Sequence, residues 1–436
     1  MSVIKQWPVF FLLLAFAIAP LFQGVQIDIL VAIHILVLTV FFKVFLASYQ
    51  KFRIPYNFLS LSICLFYLWM ALSIAWSPAP SISLHMFVWL SIFPLCYFIY
   101  SLKQPDDWSY LPIGILCVSL IIAFIGIWQG VFTEEAPRSL FRTRNTYPAM
   151  LNLIVLPMVA YFISPQQSRN RSSILLGMIL FIHFFAVFQT GSRGATISLL
   201  LGLVFIFVTS WKYIKKFSFI KVVIILTTAL LLTNIQTESF TIDRLKGLSA
   251  VTSIDSMSHR LLMWQSAWQI IKIAPVIGTG IGTYYIISPS FRHIDDPGPG
   301  YFLHNDFLQF WLETGIIGLG LLLMIMVAMF RFFIIVLKHD NLKIHNRLEI
   351  TGLLAGLISI SIHSLVDFNF YIVAILMVMG FICARIQEIT GQYFSELMQN
   401  VIPAQKLSKK VFVLASCIIP IIILNYSLPV AIADVY

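Results

Sequence analysis

GTGIGTYYIISPSFRHIDDPGPGYFLHNDFLQFWLETGIIG, residues 278–318, stands apart from everything before it. It gathers Gly, Pro, Asp, Arg and His into a chain otherwise built from Leu, Ile, Val and Phe, then returns abruptly to an apolar helix. Gly278, Gly280 and Gly282 suit a turn or a close backbone approach. Pro297, Gly298, Pro299 and Gly300 prevent regular structure just before Tyr301. His304, Asn305 and Asp306 then open the apolar run, with Asn or Asp placed to cap a helix start. A polar cluster at the mouth of a membrane-crossing helix is a candidate site by default.

Outward from this stretch the composition is that of a membrane protein. Of 436 residues 59% are hydrophobic and 11% charged, with a mean hydropathy of +0.92. A water-soluble fold of that composition has too few charges to cover its surface. The net charge of +10 raises nucleic acid as a partner, but most of the basic residues sit in short loops between apolar runs. That is topology control, and no nucleic-acid partner is expected. Cys64, Cys96, Cys117, Cys383 and Cys417 all lie in apolar segments, without CxxC spacing or nearby His, and read as packing residues. The apolar run after Lys5 lacks a small-residue cleavage site and reads as a retained first helix.

A bilayer crossing needs roughly 20 apolar residues. Thirteen segments qualify: 8–22, 27–48, 56–76, 82–101, 110–133, 147–163, 173–190, 194–211, 218–234, 312–337, 348–366, 371–390 and 411–428. The first and last can instead lie at the interface. With the N-terminus inside, 19 of the 28 Lys and Arg fall on the inner side. The nine left outside are Arg138, Arg142, Arg144, Arg193, Arg244, Lys246, Arg260, Lys272 and Arg292, which obeys the positive-inside rule. The predicted architecture is all-α: a polytopic transmembrane helical bundle of 12–13 spans, residues 1–436 forming a single integral membrane domain. Residues 235–311 form one long external loop, too long for an idle connection. Within it, Met257–Ala274 interleaves Leu261, Leu262, Met263, Trp264, Trp268, Ile270 and Ile271 with Arg260, Gln265, Ser266, Gln269 and Lys272. That predicts an amphipathic helix lying on the membrane or the bundle, ended by Pro275.

Few external residues can carry chemistry. Arg193, in TGSRG at 190–194, reads either as an interfacial arginine snorkelling to headgroups or as an anion ligand, because a Gly-flanked Arg can meet phosphate with guanidinium and backbone N–H together. Arg260 is a solvated position on the amphipathic helix or a second anion contact. Arg138, Arg142 and Arg144 share a short loop where Glu134 and Glu135 can pair with them; an electropositive rim is the alternative. His304 is the candidate for proton transfer, against a histidine that merely starts a helix. His363 and Asp367 stand at i and i+4 near the external end of a span and are expected to share a helix face and support the site from behind. Asp295–Asp296 reads either as a cation contact or, as adjacent carboxylates beside Pro and Gly more often are, as a solvated turn. There is no GxxxxGK[ST] phosphate loop, no HExxH and no other metal-ligand spacing, so neither ATP nor a metal is expected. A transporter would carry functional charges near mid-membrane and broken helices there. These residues gather at one face instead, and a structural scaffold would not account for them.

The ordered pieces TGSRG (190–194), Arg260…Trp264…Ala267, APVIGTGIGTYY (274–285), HNDFLQFWLETGIIGLGLL (304–322) and HSLVDFNF (363–370) resemble the O-antigen ligase and O-antigen polymerase superfamily of bacterial envelope glycan enzymes. The resemblance covers roughly residues 140–390; the N-terminal spans match only in being hydrophobic. It implies an all-helical bundle in the bacterial inner membrane, with the long loop and the active site on the periplasmic side. It implies a glycan donor carried on undecaprenyl pyrophosphate and a hydroxyl acceptor, the lipid A core for a ligase or a second lipid-linked repeat for a polymerase. A protein O-oligosaccharyltransferase is a further alternative. No cofactor is implied. By resemblance His304 corresponds to the catalytic base, and Arg193 and Arg260 to the arginines that hold the pyrophosphate. Arg142, Arg144 and Asn305 complete the expected substrate contacts, with His363 and Asp367 behind them.

Overall fold

A computed structural model describes residues 6–22, 26–48, 53–55, 57–103, 108–133, 136–165, 172–236, 256–296, 300–339, 341–394 and 401–403. Its helices are α1 (Trp7–Ile18), α2 (Ile27–Ser48), α3 (Phe58–Ser73), α4 (Pro80–Leu90), α5 (Ile92–Leu102), α6 (Leu111–Phe132), α7 (Thr146–Phe162) and α8 (Ser172–Gln189). They continue with α9 (Arg193–Ser210), α10 (Lys216–Gln236), α11 (Ser256–Ile273), the one-turn α12 (Tyr284–Ile287), α13 (Asp306–Leu337), α14 (Ile344–His363) and α15 (Val373–Tyr393). Arg53–Pro55 and Val401–Pro403 pair as a short antiparallel ribbon.

The chain is an all-helical, multi-pass membrane protein. Among the described residues eight stretches are long and apolar enough to cross a bilayer, and Trp7–Leu21, Thr146–Phe162 and Ser173–Gln189 are shorter apolar helices. Each predicted segment from 8–22 to 371–390 coincides with a helix, 82–101 being divided at Ser91. The segment 411–428 lies outside the described residues, as do 237–255 of the long loop, Glu134, Glu135 and Pro297–Pro299. The amphipathic helix predicted over Met257–Ala274 is α11.

In lipid no hydrophobic force draws apolar helices together, so close packing depends on small side chains and polar ties. Helix α14 carries Gly352-Leu353-Leu354-Ala355-Gly356, a small-xxx-small face, and lays it on α7. A Cβ on Gly352 would stand 2.5 Å from the Ala160 Cβ and 2.8 Å from the Pro157 Cα. The buried Asn152 Nδ2 donates to the Ala195 carbonyl at 2.8 Å, fastening α7 to α9. At the end of α14 away from His363, Arg385 donates to both Glu349 carboxylate oxygens at 2.6 and 3.0 Å and to Glu388 at 2.7 Å, with Lys103 2.8 Å from Glu388.

Helix α13 is interrupted. Gly315 sits at φ 70°, ψ −178°, so the chain runs as two helical pieces either side of it. The residues just before and after α13's break bond to the 275–280 loop instead of to each other. Thr279 N–H donates to Leu312 O at 3.0 Å and Gly280 N–H to Glu313 O at 2.8 Å, while Ile316 N–H donates to Pro275 O at 2.9 Å. Each backbone group released by the break thereby finds a partner in protein, the condition for irregular backbone at membrane depth. A Cβ on Gly315 would fall 2.0 Å from the Val276 carbonyl oxygen, so the crossing needs glycine there.

Helix α11 covers this junction. Met263, Ala267, Ile270 and Ile271 pack with Tyr284, Leu303 and Leu312 into a second, smaller apolar cluster. Leu261, Trp268 and Ile273 point outward and stay exposed.

A candidate active site around Asp367

The site is assembled where the start of α13 meets the turn after α14. Asn305 is extended, and its side-chain oxygen accepts from Leu308 N–H at 3.0 Å, so this residue serves as the helix cap. Asp306 N–H donates to the Ser364 carbonyl at 2.9 Å, and Asp306 Oδ2 accepts from Phe370 N–H at 2.9 Å. These two bonds lock residues 304–306 onto the 364–370 turn. Phe302 stacks on Phe368 with centroids 4.6 Å apart, and the His304 ring meets the Phe368 edge at 4.9 Å.

Asp367 is the hub. His304 Nδ1 lies 3.1 Å from its Oδ1, which also accepts from Phe368 N–H at 3.0 Å. Its Oδ2 faces Arg260 Nη2 at 3.7 Å and His363 Nε2 at 3.9 Å, ion-pair contacts too long for hydrogen bonds. The carboxylate side chain is 1% exposed and the His304 side chain 30%. Burial alone would raise the Asp367 carboxyl. The hydrogen bond from His304 and the charges of His304, His363 and Arg260 outweigh it and hold the group below the ordinary carboxylate range.

The expected shared helix face of His363 and Asp367 is corrected, although the two do meet at 3.9 Å: α14 ends at His363, and Asp367 stands in the turn beyond. Leaving the helix is what lets the carboxylate reach His304. The solvated turn expected at Asp295–Asp296 is also half corrected. Asp296 is buried and receives His259 Nε2 at 2.6 Å and Arg292 Nε at 3.4 Å.

The arginines come in from three further directions. Ser192 caps α9, and Arg193 is its first residue. Gly194 lets that helix start approach the turn, for a Cβ there would sit 2.7 Å from the His363 ring. Arg260 arrives on α11. Arg144 arrives on the 136–145 loop, and burial together with the like charges of Arg193 and Arg260 lowers its guanidinium below the usual arginine value. Arg142 in the same loop is exposed and lies over the Tyr301 ring at 5.4 Å. Arg144, Arg193, Arg260, His304, His363 and Asp367 thus share one neighbourhood; Asn305 lies beside it with its side chain engaged as the cap.

Two features had not been singled out in the sequence. Glu313, fully buried, accepts from Gly282 N–H at 2.9 Å, Tyr284 N–H at 3.3 Å, Gln309 Nε2 at 3.1 Å and Tyr371 Oη–H at 3.2 Å. It fixes the glycine-rich loop to the front of α13, and a lone carboxylate inside an apolar run was the available signal. The other is an apolar cavity of about 780 Å³ bordered by Phe310 and Phe370 and running between α3, α5, α13, α14 and α15.

Chemically the arrangement holds a histidine by one ring nitrogen and aims arginines at the same place. With Nδ1–H given to Asp367, Nε2 keeps its lone pair and can accept a proton. Clustered guanidinium groups and a helix N-terminus favour an anion.

Residues 176–323 match a protein-family model described as O-antigen ligase. That region contains Arg193, Arg260 and His304, whereas Arg144, His363 and Asp367 lie outside it. Over 89 residues, 19% of the chain, the sequence is 30% identical to the exopolysaccharide production protein ExoQ of Rhizobium meliloti (strain 1021). The chain covers 20% of that relative's length in the match. Together these two matches show the similarity to the O-antigen ligase superfamily that the ordered motifs suggested.

Proposed function

We propose that this protein is an O-antigen ligase-like glycosyltransferase of the bacterial inner membrane. It moves a glycan from undecaprenyl pyrophosphate to a hydroxyl acceptor, the lipid A core, at the periplasmic face, where the 235–311 loop lies. The observation that carries this reading is the Asp367 carboxylate bridging His304 and Arg260, with His304 on the proton-accepting side and Arg260 on the anion-holding side. The similarity to O-antigen ligase supports the reaction class, and the apolar cavity bordered by Phe310 and Phe370 supports an amphiphilic donor whose polyprenyl chain needs such a wall.

The reaction follows from the parts. The sugar–pyrophosphate bond stores the driving force, so no nucleotide is consumed. As C1–O breaks, negative charge grows on the departing pyrophosphate. Arg193, Arg260 and Arg144 in a poorly hydrated setting stabilise that charge more than water would. His304 Nε2 takes the proton from the acceptor hydroxyl as its oxygen forms the new bond to C1. Asp367 holds the imidazole in the accepting tautomer and stabilises the imidazolium that results.

A second reading, a polymerase joining lipid-linked repeats, is supported by the similarity to ExoQ, a protein named for exopolysaccharide production. The surface glycans of a deletion strain separate the two. Loss of ligation leaves lipid-linked polymer and a bare core; loss of polymerisation leaves single repeats. Unchanged envelope and secreted glycans would reject both.

A further inference from the structure

Outside the His304–Asp367 pair lies a smaller cavity of about 190 Å³, enclosed by α11, the 284–292 segment and Gly300–Tyr301. The Tyr285 and Tyr301 rings stand 5.7 Å apart at 45° on its wall, and Ser266 and Ser288 also line it. Its charges are matched: Asp296 is held by His259 at 2.6 Å and by Arg292, which also donates to the Asp296 carbonyl. The lining therefore combines aromatic faces, hydroxyls and a balanced ion pair, in contrast to the cationic cluster near Asp367. The Tyr301 ring on its wall carries the Arg142 guanidinium at 5.4 Å, from the same loop that brings Arg144 to the cationic cluster.

We propose that this cavity is a saccharide subsite that takes one pyranose ring of a glycan substrate. A pyranose presents an apolar C–H face, which an aromatic ring covers, and a hydroxyl edge, which serine, tyrosine and carboxylate groups bond. A lipid chain would strand the polar lining, and an anion would meet the Asp296 carboxylate. The volume is below the roughly 300–1,000 Å³ of clefts for drug-sized ligands, which restricts the occupant to a single small ring. The inference rests on the glycan-transfer reading and adds to it where the sugar is recognised.

The test is saturation-transfer NMR on the full chain in detergent, with methyl glycosides of hexoses, N-acetylhexosamines and 6-deoxyhexoses as probes. At least one glycoside should receive saturation on its ring protons. The signal should weaken at least about fivefold in Tyr285→Ala and persist in Tyr285→Phe, which keeps the ring. It should also persist in His304→Asn. Silence from every glycoside, or a signal indifferent to Tyr285→Ala, overturns the subsite. In a transfer assay Tyr285→Ala should raise one KM by roughly tenfold with kcat within about threefold. A shift in donor KM assigns the ring to the donor glycan and a shift in acceptor KM to the acceptor; no shift in either overturns the proposal. Glycoside binding without transfer from any lipid-linked donor would sink the enzymatic reading alone, and transfer without glycoside binding would sink the subsite alone.

Discussion

His304 and Asp367 stand 63 positions apart in the chain and 3.1 Å apart between Nδ1 and Oδ1. His304 reaches that contact from a left-handed backbone, φ 54°, a conformation non-glycine residues adopt at some cost and keep where the surroundings enforce it. The pair fixes which nitrogen of His304 faces outward.

Replacing His304 by Asn, which tolerates positive φ, should preserve the fold and remove the base. Transfer by the purified variant should drop on the order of 10²–10⁴-fold while lipid-linked donor still binds. Asp367→Asn should lose activity on a similar scale with the histidine intact, through the wrong tautomer. Near-normal turnover in both would take this pair out of the mechanism.

Arg193 and Arg260 should not accept lysine. A point charge loses the planar fork that meets two phosphate oxygens, and one charge-assisted hydrogen bond is worth about 1.5–3 kcal/mol, or roughly 10–100-fold in kcat/KM. Full transfer by both Lys variants at equal expression would reduce them to a general positive rim.

The pH behaviour follows from Asp367. Its folded carboxyl is depressed, so its contribution to stability is complete above the ordinary aspartate value near ~3.9 and is lost as pH falls through the lower folded value. The difference in Tm between the native chain and Asp367→Asn should shrink in acid, once the pH falls below the ordinary aspartate value and the carboxylate takes up its proton. A gap that stays constant down to acid unfolding would show that the carboxylate is not an ionised partner.

Gly315→Ala should destabilise by about 3 kcal/mol or more, because a Cβ would stand 2.0 Å from the Val276 carbonyl oxygen and φ is positive. Gly320→Ala, five residues on with nothing within 4 Å, should be neutral or stabilise by up to about 1 kcal/mol. Thermal unfolding in detergent reads both; equal effects would contradict the break in α13.

The external placement of the long loop is tested by a single cysteine at Ile294, 94% exposed. An impermeant maleimide should label it from the periplasmic side in intact spheroplasts. Labelling only after lysis would reverse the orientation.

The helices were legible because a crossing needs length and apolarity, and both are written along the chain. The break at Gly315 was not, since from Phe307 to Leu337 the sequence is apolar apart from Gln309, Glu313, Thr314 and Arg331, and nothing local sets Gly315 apart from Gly318 or Gly320. What stops the helix is the 275–280 backbone, supplied from another part of the chain. Arg193, Arg260 and His304 were singled out by resemblance; that Arg260 and His304 face one carboxylate was not legible. At Asp367 the helical spacing from His363 misled, because it assumed a helix continuing past the turn. Glu313 went unread because three of its four partners, Gly282 and Tyr284 N–H and the Tyr371 hydroxyl, come from distant parts of the chain.

The exchange of backbone bonds at Gly315 has a consequence for how the protein is made. Residues 275–280 precede α13 and leave the ribosome first, so with the loop in the proposed external position they are waiting outside the membrane when α13 enters the translocon. The run beyond Ile317 can satisfy its own backbone in lipid, whereas Leu312, Glu313, Ile316 and Ile317 must find the earlier loop before their backbone groups are satisfied. In the proposed orientation, export of the loop is a prerequisite for setting His304 in place, and a chain whose loop is delayed inside the cell would insert every span and still lack a formed site.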